Sequence, residues 1–398
     1  MTSRANAATR AVRAAIESDT QHGAVVPPLH LSSNFTFAEL GEKRQYDDSR
    51  SGNPTRDALA DALMSLEGGA GATVTSSGMA ALTLLCQLLK PGDLLVAPHD
   101  CYGGTHRLFE NLAAKGHFEV EFVNQTSPTE VRQACARRPA LILAETPSNP
   151  LLRVVDIAEL AKLAKQSGAM LAVDNPFLSP AIQQPLALGA DLVVHSTTKY
   201  LNGHSDVVGG AIVSATEELA NTLAWWANCL GITGAPFDSF LTLRGVRTLH
   251  ARMRQHEESA NLLATVLDEH PWVENVYYPG LRSHPGHSVA ARQQSGFGGM
   301  ISFDIKGGQE AVRQFVSQLE YFSLAESLGG VESLVCHPAS MTHAPVASEA
   351  LSAAGISENL IRLSIGLECT EDLVTDVLAA LDSEQAAVSP NRLAVAGH

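Results

Sequence analysis

From residue 70 to residue 213 the chain alternates short apolar runs with helical stretches, and this alternation restricts the fold more than any other feature. The runs are Ala72–Thr75, Leu94–Ala97, Val120–Val123, Leu141–Ala144, Leu171–Val173, Leu192–Val194 and Ala211–Val213. They are apolar nearly throughout, as strands covered on both faces must be. Between them lie helices such as the one opening at Ser127-Pro-Thr-Glu130, a capping box with proline in the first turn. Seven such strands predict a mostly parallel α/β sheet with helices on both faces and ligands at the carboxyl ends of its strands.

Outside this block the chain reads as two further parts. Residues 1–54 look irregular, an arm too long for a compact domain unless it serves a site or a neighbouring subunit. A helix from Thr55 presents Leu59, Ala62, Leu63 and Leu66 on one face and stops at Gly68-Gly69. After residue 216 come helices at Glu217–Leu230 and Phe237–Leu267, which lead out of the first domain. Strands near Val273–Tyr277, Met300–Ile305 and Ile361–Ser364, with helices near Gln309–Leu319 and Glu371–Ser383, make a smaller second domain. A loose tail is expected after residue 386. The division is therefore 1–54, 55–250 and 251–398.

Composition excludes several classes. A formal charge of −15 disfavours nucleic acid and anionic membranes as partners. No apolar run is long enough to span a bilayer, and the N-terminus carries no apolar leader core, so a cytoplasmic location is expected. Six scattered cysteines without a Cys-x-x-Cys pair read as reduced thiols, and no metal spacing is present, so no metal is expected. His99, His195 and His204 read as structural.

The chemistry-bearing residues stand where strands end. Ser77-Gly78-Met79 opens a helix after the first run, and the free amides of such a helix start suit an anion, typically a phosphate. Tyr102 follows the second run beside two glycines; Asn149 lies in a rigid polar turn after the fourth. Asp174 ends the fifth, where a buried carboxylate needs a cationic or hydrogen-bonding partner. Lys199 follows the sixth, after Ser196, Thr197 and Thr198, held between two strands where desolvation lowers its pKa and permits imine chemistry. An anion seat, a stacking ring, a buried carboxylate and an activated lysine on one rim are what pyridoxal 5′-phosphate requires.

These residues sit in longer stretches. They include Ser49-Arg50-Ser-Gly-Asn-Pro-Thr55, Leu66-Glu-Gly-Gly-Ala70, Ala97-Pro-His-Asp-Cys-Tyr-Gly-Gly104 and Ser148-Asn-Pro150. Further on come Val173-Asp-Asn175, His195-Ser-Thr-Thr-Lys-Tyr-Leu-Asn-Gly-His-Ser-Asp206 and Leu324-Ala-Glu-Ser-Leu-Gly-Gly-Val-Glu-Ser333. Along nearly its whole length the chain resembles the cystathionine γ-synthase group of the Cys/Met-metabolism pyridoxal-phosphate enzymes. The resemblance implies the aspartate-aminotransferase-like fold (fold type I) and a small amino acid as substrate. It implies that Lys199 joins the cofactor's aldehyde and shuttles protons, that Asp174 pairs the pyridinium, and that Tyr102 stacks on the ring. Ser77, Gly78, Met79, Ser196 and Thr198 would hold the phosphate, joined by Arg50 from a neighbouring subunit. Arg362 would clamp the substrate carboxylate with Asn149 and Ser327, near Glu326. A homotetramer of two dimers with shared sites is implied as well.

Departures from the family pattern fall at the distal end of the expected site. Asp48 stands where tyrosine is usual, Tyr46 lies two residues early, and Ser51 replaces a second arginine. Asp47 is retained and Arg107 remains as a possible anion contact; Pro176 and Ile365 stand where close relatives carry threonine. One positive charge fewer and one negative charge more suggest a cationic distal group on the substrate. The sequence therefore leads to an expectation of γ-elimination on a homoserine-type amino acid such as canavanine, releasing hydroxyguanidine. The alternative is cystathionine γ-synthase, joining O-succinylhomoserine to cysteine. More distant are cystathionine β-lyase activity and a non-enzymatic relic of the fold.

Overall fold

The computed structural model describes residues 5–342 and 355–388. Seven strands form the large sheet: β1 (Gly71–Thr75), β2 (Leu94–Pro98), β3 (Glu119–Val123), β4 (Leu141–Glu145), β5 (Met170–Asp174), β6 (Leu192–Ser196) and β7 (Gly210–Ser214). Their order is β1-β7-β6-β5-β4-β2-β3, and only β7 runs against its neighbours. All seven expected strands are present, and the sheet is mostly parallel as expected. Its two faces are equally apolar: Leu95, Leu143 and Val194 pack on one side, Val96, Ala144 and Val173 on the other. With no polar face available, both sides must carry helices.

The helices begin and end where the sequence says they should. Asn53 caps α2 (Pro54–Glu67) by accepting from the Thr55 and Arg56 amides, and Gly68, at φ 74°, releases the chain at its end. α3 (Gly78–Leu85) follows β1, α4 (Gly103–Ala114) follows β2, and both lie against one face of the sheet.

A second, five-stranded sheet has the order β10-β11-β12-β9-β8. Its members are β8 (Val273–Tyr277), β9 (Met300–Ile305), β10 (Ser323–Leu324), β11 (Leu334–Cys336) and β12 (Leu360–Ser364). β10 and β11, of two and three residues, are too short to leave a periodic signal and were not expected. They matter because β11 pairs with β12 and places Arg362 opposite Cys336.

Three further differences have local causes. The arm holds a short helix at Ala7–Val12, capped by Asn6, whose Ala11 packs into the core. The helix expected over 237–267 is two helices, Pro236–Val246 and Leu249–Asp268. Arg252 Nη2 takes the Gly245 carbonyl, and a Cβ at Gly245 would meet the Asn202 carbonyl oxygen at 2.1 Å. The turn after Lys199 thus presses on the helix at that break. The last helix runs Thr370–Val388, two residues past the expected start of the tail; residues 389–398 lie outside the described residues. Leu249–Asp268 contributes Leu249 and Met253 to the core around α2, and Ala260, Leu263 and Leu267 to the core of the second sheet.

Candidate active site

Five strand ends and one strand of the second sheet converge on a cleft of about 350 Å³. At the end of β1, Ser77 Oγ accepts from the Ala80 amide and starts α3, whose first amides, Gly78 and Met79, have no intrahelical acceptor. The end of β6 presses on this turn: a Cβ at Gly78 would lie 2.8 Å from Ser196 Cβ. Any larger residue at 78 would therefore collide with the end of β6. Thr198 also lines the cleft, with its hydroxyl donating to the Gly209 carbonyl at 3.2 Å and accepting from the Gly209 amide at 3.0 Å.

Tyr102 precedes α4 and remains 41% exposed, so its ring has an open face for a planar ligand. Gly104 makes that placement possible, since a Cβ there would meet Tyr102 Cε1 at 2.6 Å. Asp174 ends β5 almost fully buried, and its carboxyl has no hydrogen bond or ion pair among the described residues. Burial pushes its carboxyl up to about 7, with His195 pulling in the opposite direction. A buried carboxyl left without a cation is the feature expected where a cationic ring nitrogen is to be bound.

Lys199 donates from Nζ to Ser327 Oγ at 2.7 Å. Burial pulls its amine down to about 8, the Arg362 charge pulls in the same direction, and Glu326 opposes them. Arg362, on β12, is buried; Nη1 donates to Asn149 Oδ1 at 2.7 Å and Nη2 to the Ser327 carbonyl at 2.8 Å. Its buried Nε has no partner among the described residues, a donor left over for a ligand. Ser327 holds φ at 77°, a left-handed conformation that a serine rarely adopts and that the surrounding loop imposes.

The cleft brings together thirteen of the residues singled out in the sequence: Ser77, Gly78, Met79, Tyr102, Asn149, Asp174, Pro176, Ser196, Thr198, Lys199, Glu326, Ser327 and Arg362. Arg50, Arg107, Asp47, Asp48 and Ser51 do not line it. Arg107 is exposed on α4. Arg50 donates to the Asn228 side chain at 2.6 Å. Asp48 Oδ1 accepts from the Arg50 amide, and Asp47 Oδ1 accepts from the Ser51 hydroxyl and the Asp48 amide. The two carboxylates are thus engaged in their own turn, and in this chain they form no cation seat in the cleft. Tyr46 packs against Phe35, with burial and Asp57 pushing its phenol up to about 12.

The sequence reading passed over Glu145, Phe177, Val208 and Leu328 as lining residues. A signal for Glu145 existed: it directly follows the run Leu141–Ala144, as Asp174 follows Leu171–Val173.

Comparison with known proteins agrees with this geometry. Residues 8–382 match the family of Cys/Met metabolism PLP-dependent enzymes. The chain is 55% identical over 371 residues to the cystathionine γ-synthase of Escherichia coli K12, covering 93% of this chain and 96% of the relative. It is 44% identical over 376 residues to the cystathionine β-lyase of Lactococcus lactis subsp. cremoris, covering 94% and 99%. Among solved structures, a cystathionine γ-synthase from Xanthomonas oryzae pv. oryzae in complex with aminoacrylate and cysteine is similar. It superposes with a TM-score of 0.95 at 60% identity, over 96% of this chain and 99% of that one.

Proposed function

Because this chain belongs to the Cys/Met metabolism PLP-dependent enzymes, we propose that it is a cystathionine γ-synthase, exchanging the γ-substituent of an O-acylated homoserine, O-succinylhomoserine, for cysteine. The observation that carries the reading is the combination of 60% and 55% identity to two cystathionine γ-synthases with a cleft that holds every cofactor-facing residue of this chain except Arg50. The canavanine reading falls behind it. It rested on Asp47 and Asp48 as a paired seat for a guanidinium, whereas the similar proteins are cystathionine synthases and lyases.

The residues fit the cofactor. Phosphate would take the Gly78 and Met79 amides with Ser196 and Thr198, the ring would lie against Tyr102, and the ring nitrogen would meet Asp174. When bound, the cofactor would supply an electron sink for negative charge developing at the substrate's α-carbon. The chain's own groups do the rest. Arg362 holds the substrate carboxylate in a fork, with Asn149 fixing the guanidinium plane. Lys199, deprotonated readily because its site is desolvated, takes the α-proton and returns it. Ser327 Oγ holds the amine in place between transfers. Phe177 and Leu328 give the cleft apolar walls.

The decisive comparison is kinetic. Purified holoenzyme given O-succinylhomoserine and cysteine is expected to form cystathionine with a higher kcat/KM than it shows on canavanine. Faster release of hydroxyguanidine from canavanine would contradict the assignment.

The working unit is proposed to be a dimer or a pair of dimers. Support comes from the arm, where Val25, Val26, Leu31, Phe37 and Leu40 are exposed, and from Arg50, which stays out of its own chain's cleft. Mixing inactive Arg50→Ala and Lys199→Ala subunits should then restore part of the activity. Mixed oligomers with no activity would mean that each cleft is built from one chain.

A further inference from the structure

Glu145 is a buried carboxyl in the cleft with no role so far. It ends β4 in register with Asp174 at the end of β5, so two buried carboxyls stand on adjacent strands roughly 5 Å apart. Burial raises the Glu145 carboxyl well above its ordinary value, and Asp174 raises it further. An apolar side chain would fill this position without that cost. What the carboxyl gains is two accepted hydrogen bonds, one from each of two separate turns. Oε2 accepts from the Tyr102 amide at 2.9 Å, and Oε1 accepts from the Asn149 amide at 3.0 Å. Tyr102 belongs to the turn after β2 and Asn149 to the turn after β4, and no backbone hydrogen bond joins these two residues.

We propose that Glu145 is a positioning residue whose single buried carboxyl sets the Tyr102 ring and the Asn149–Arg362 clamp relative to each other. The inference rests on the reading of the cleft given above. The cofactor lies against one of these groups and the substrate carboxylate against the other, so the distance between them fixes how an amino acid meets the cofactor. A side chain that tied only one turn would stabilise the fold; tying both makes the register of ring and clamp depend on one residue.

The test uses Glu145→Ala and Glu145→Gln holoenzymes and two readouts independent of the γ-substituent. The first is circular dichroism in the cofactor's visible band, which reports the asymmetry of the ring's surroundings. The second is the concentration of glycine that half-saturates the change in visible absorbance. Glu145→Ala should lower the visible dichroism at least twofold and raise the glycine midpoint about tenfold, with far-ultraviolet dichroism unchanged. Glu145→Gln, whose amide oxygen can serve one of the two amides, should fall between that variant and the parent on both readouts. Parent-like dichroism and glycine midpoint in Glu145→Gln, whatever its melting temperature, would overturn the proposal, and this variant decides alone if Glu145→Ala does not fold. Glycine lacks a γ-substituent, so an error in the proposed substrate would leave both readouts intact and show only in the kinetic comparison.

Discussion

Replacing Lys199 by alanine lowers turnover by at least about 10³-fold while the protein still folds. Among the described residues no other lysine lines the cleft, so no neighbouring amine there can take over the proton. The side chain is half-buried and its amine is held by one serine hydroxyl, so its removal deletes a desolvated group rather than a supporting one. The same burial gives a pH signature in the cofactor-free protein. An ammonium is disfavoured in the cleft, so the amine becomes reactive as pH rises through about 8, not through the ~10.4 of a free lysine. Trapping an added aldehyde at Lys199 across a pH series measures this midpoint. A midpoint near that of free lysine would mean that the amine is solvated.

Arg362→Lys raises the KM for amino-acid substrates by roughly 10- to 100-fold, more than it changes kcat. A lysine keeps the charge but presents no planar fork, and it cannot serve Asn149 Oδ1, the Ser327 carbonyl and a substrate carboxylate together. A hydrogen bond to a charged group is worth about 1.5–3 kcal/mol, which corresponds to that range. The two acceptors it leaves behind are partly buried, which adds to the loss. Steady-state kinetics of the variant checks the split; an unchanged KM would remove Arg362 from the substrate site.

Much of this was legible in the sequence because strands leave a strong local mark. Leu141–Ala144 and Leu171–Val173 are apolar on both faces, and a polar residue directly after each can only sit at the strand's end. That logic places Asp174, Lys199 and Tyr102 in the cleft, and applied evenly it would have placed Glu145 there as well. The distal pocket was not legible, because Asp47, Asp48 and Ser51 lie in a turn whose side-chain directions depend on hydrogen bonds between neighbours. Sequence spacing does not reveal that the Ser51 hydroxyl goes to Asp47, or that Asp48 turns back to the Arg50 amide. The short strands β10 and β11 were hidden for a different reason: their pairing, not their composition, defines them. The break at residues 247–248 likewise follows from a tertiary contact, the approach of Asn202 to Gly245.

The central claim is that the cleft binds pyridoxal phosphate through Lys199. The direct measurement is borohydride reduction of the purified holoenzyme, followed by proteolysis and mass spectrometry of the peptides. The account predicts loss of the yellow colour and one modified peptide, carrying the reduced cofactor on Lys199. A cofactor mass on any other lysine, or no modified peptide from a coloured protein, would contradict it.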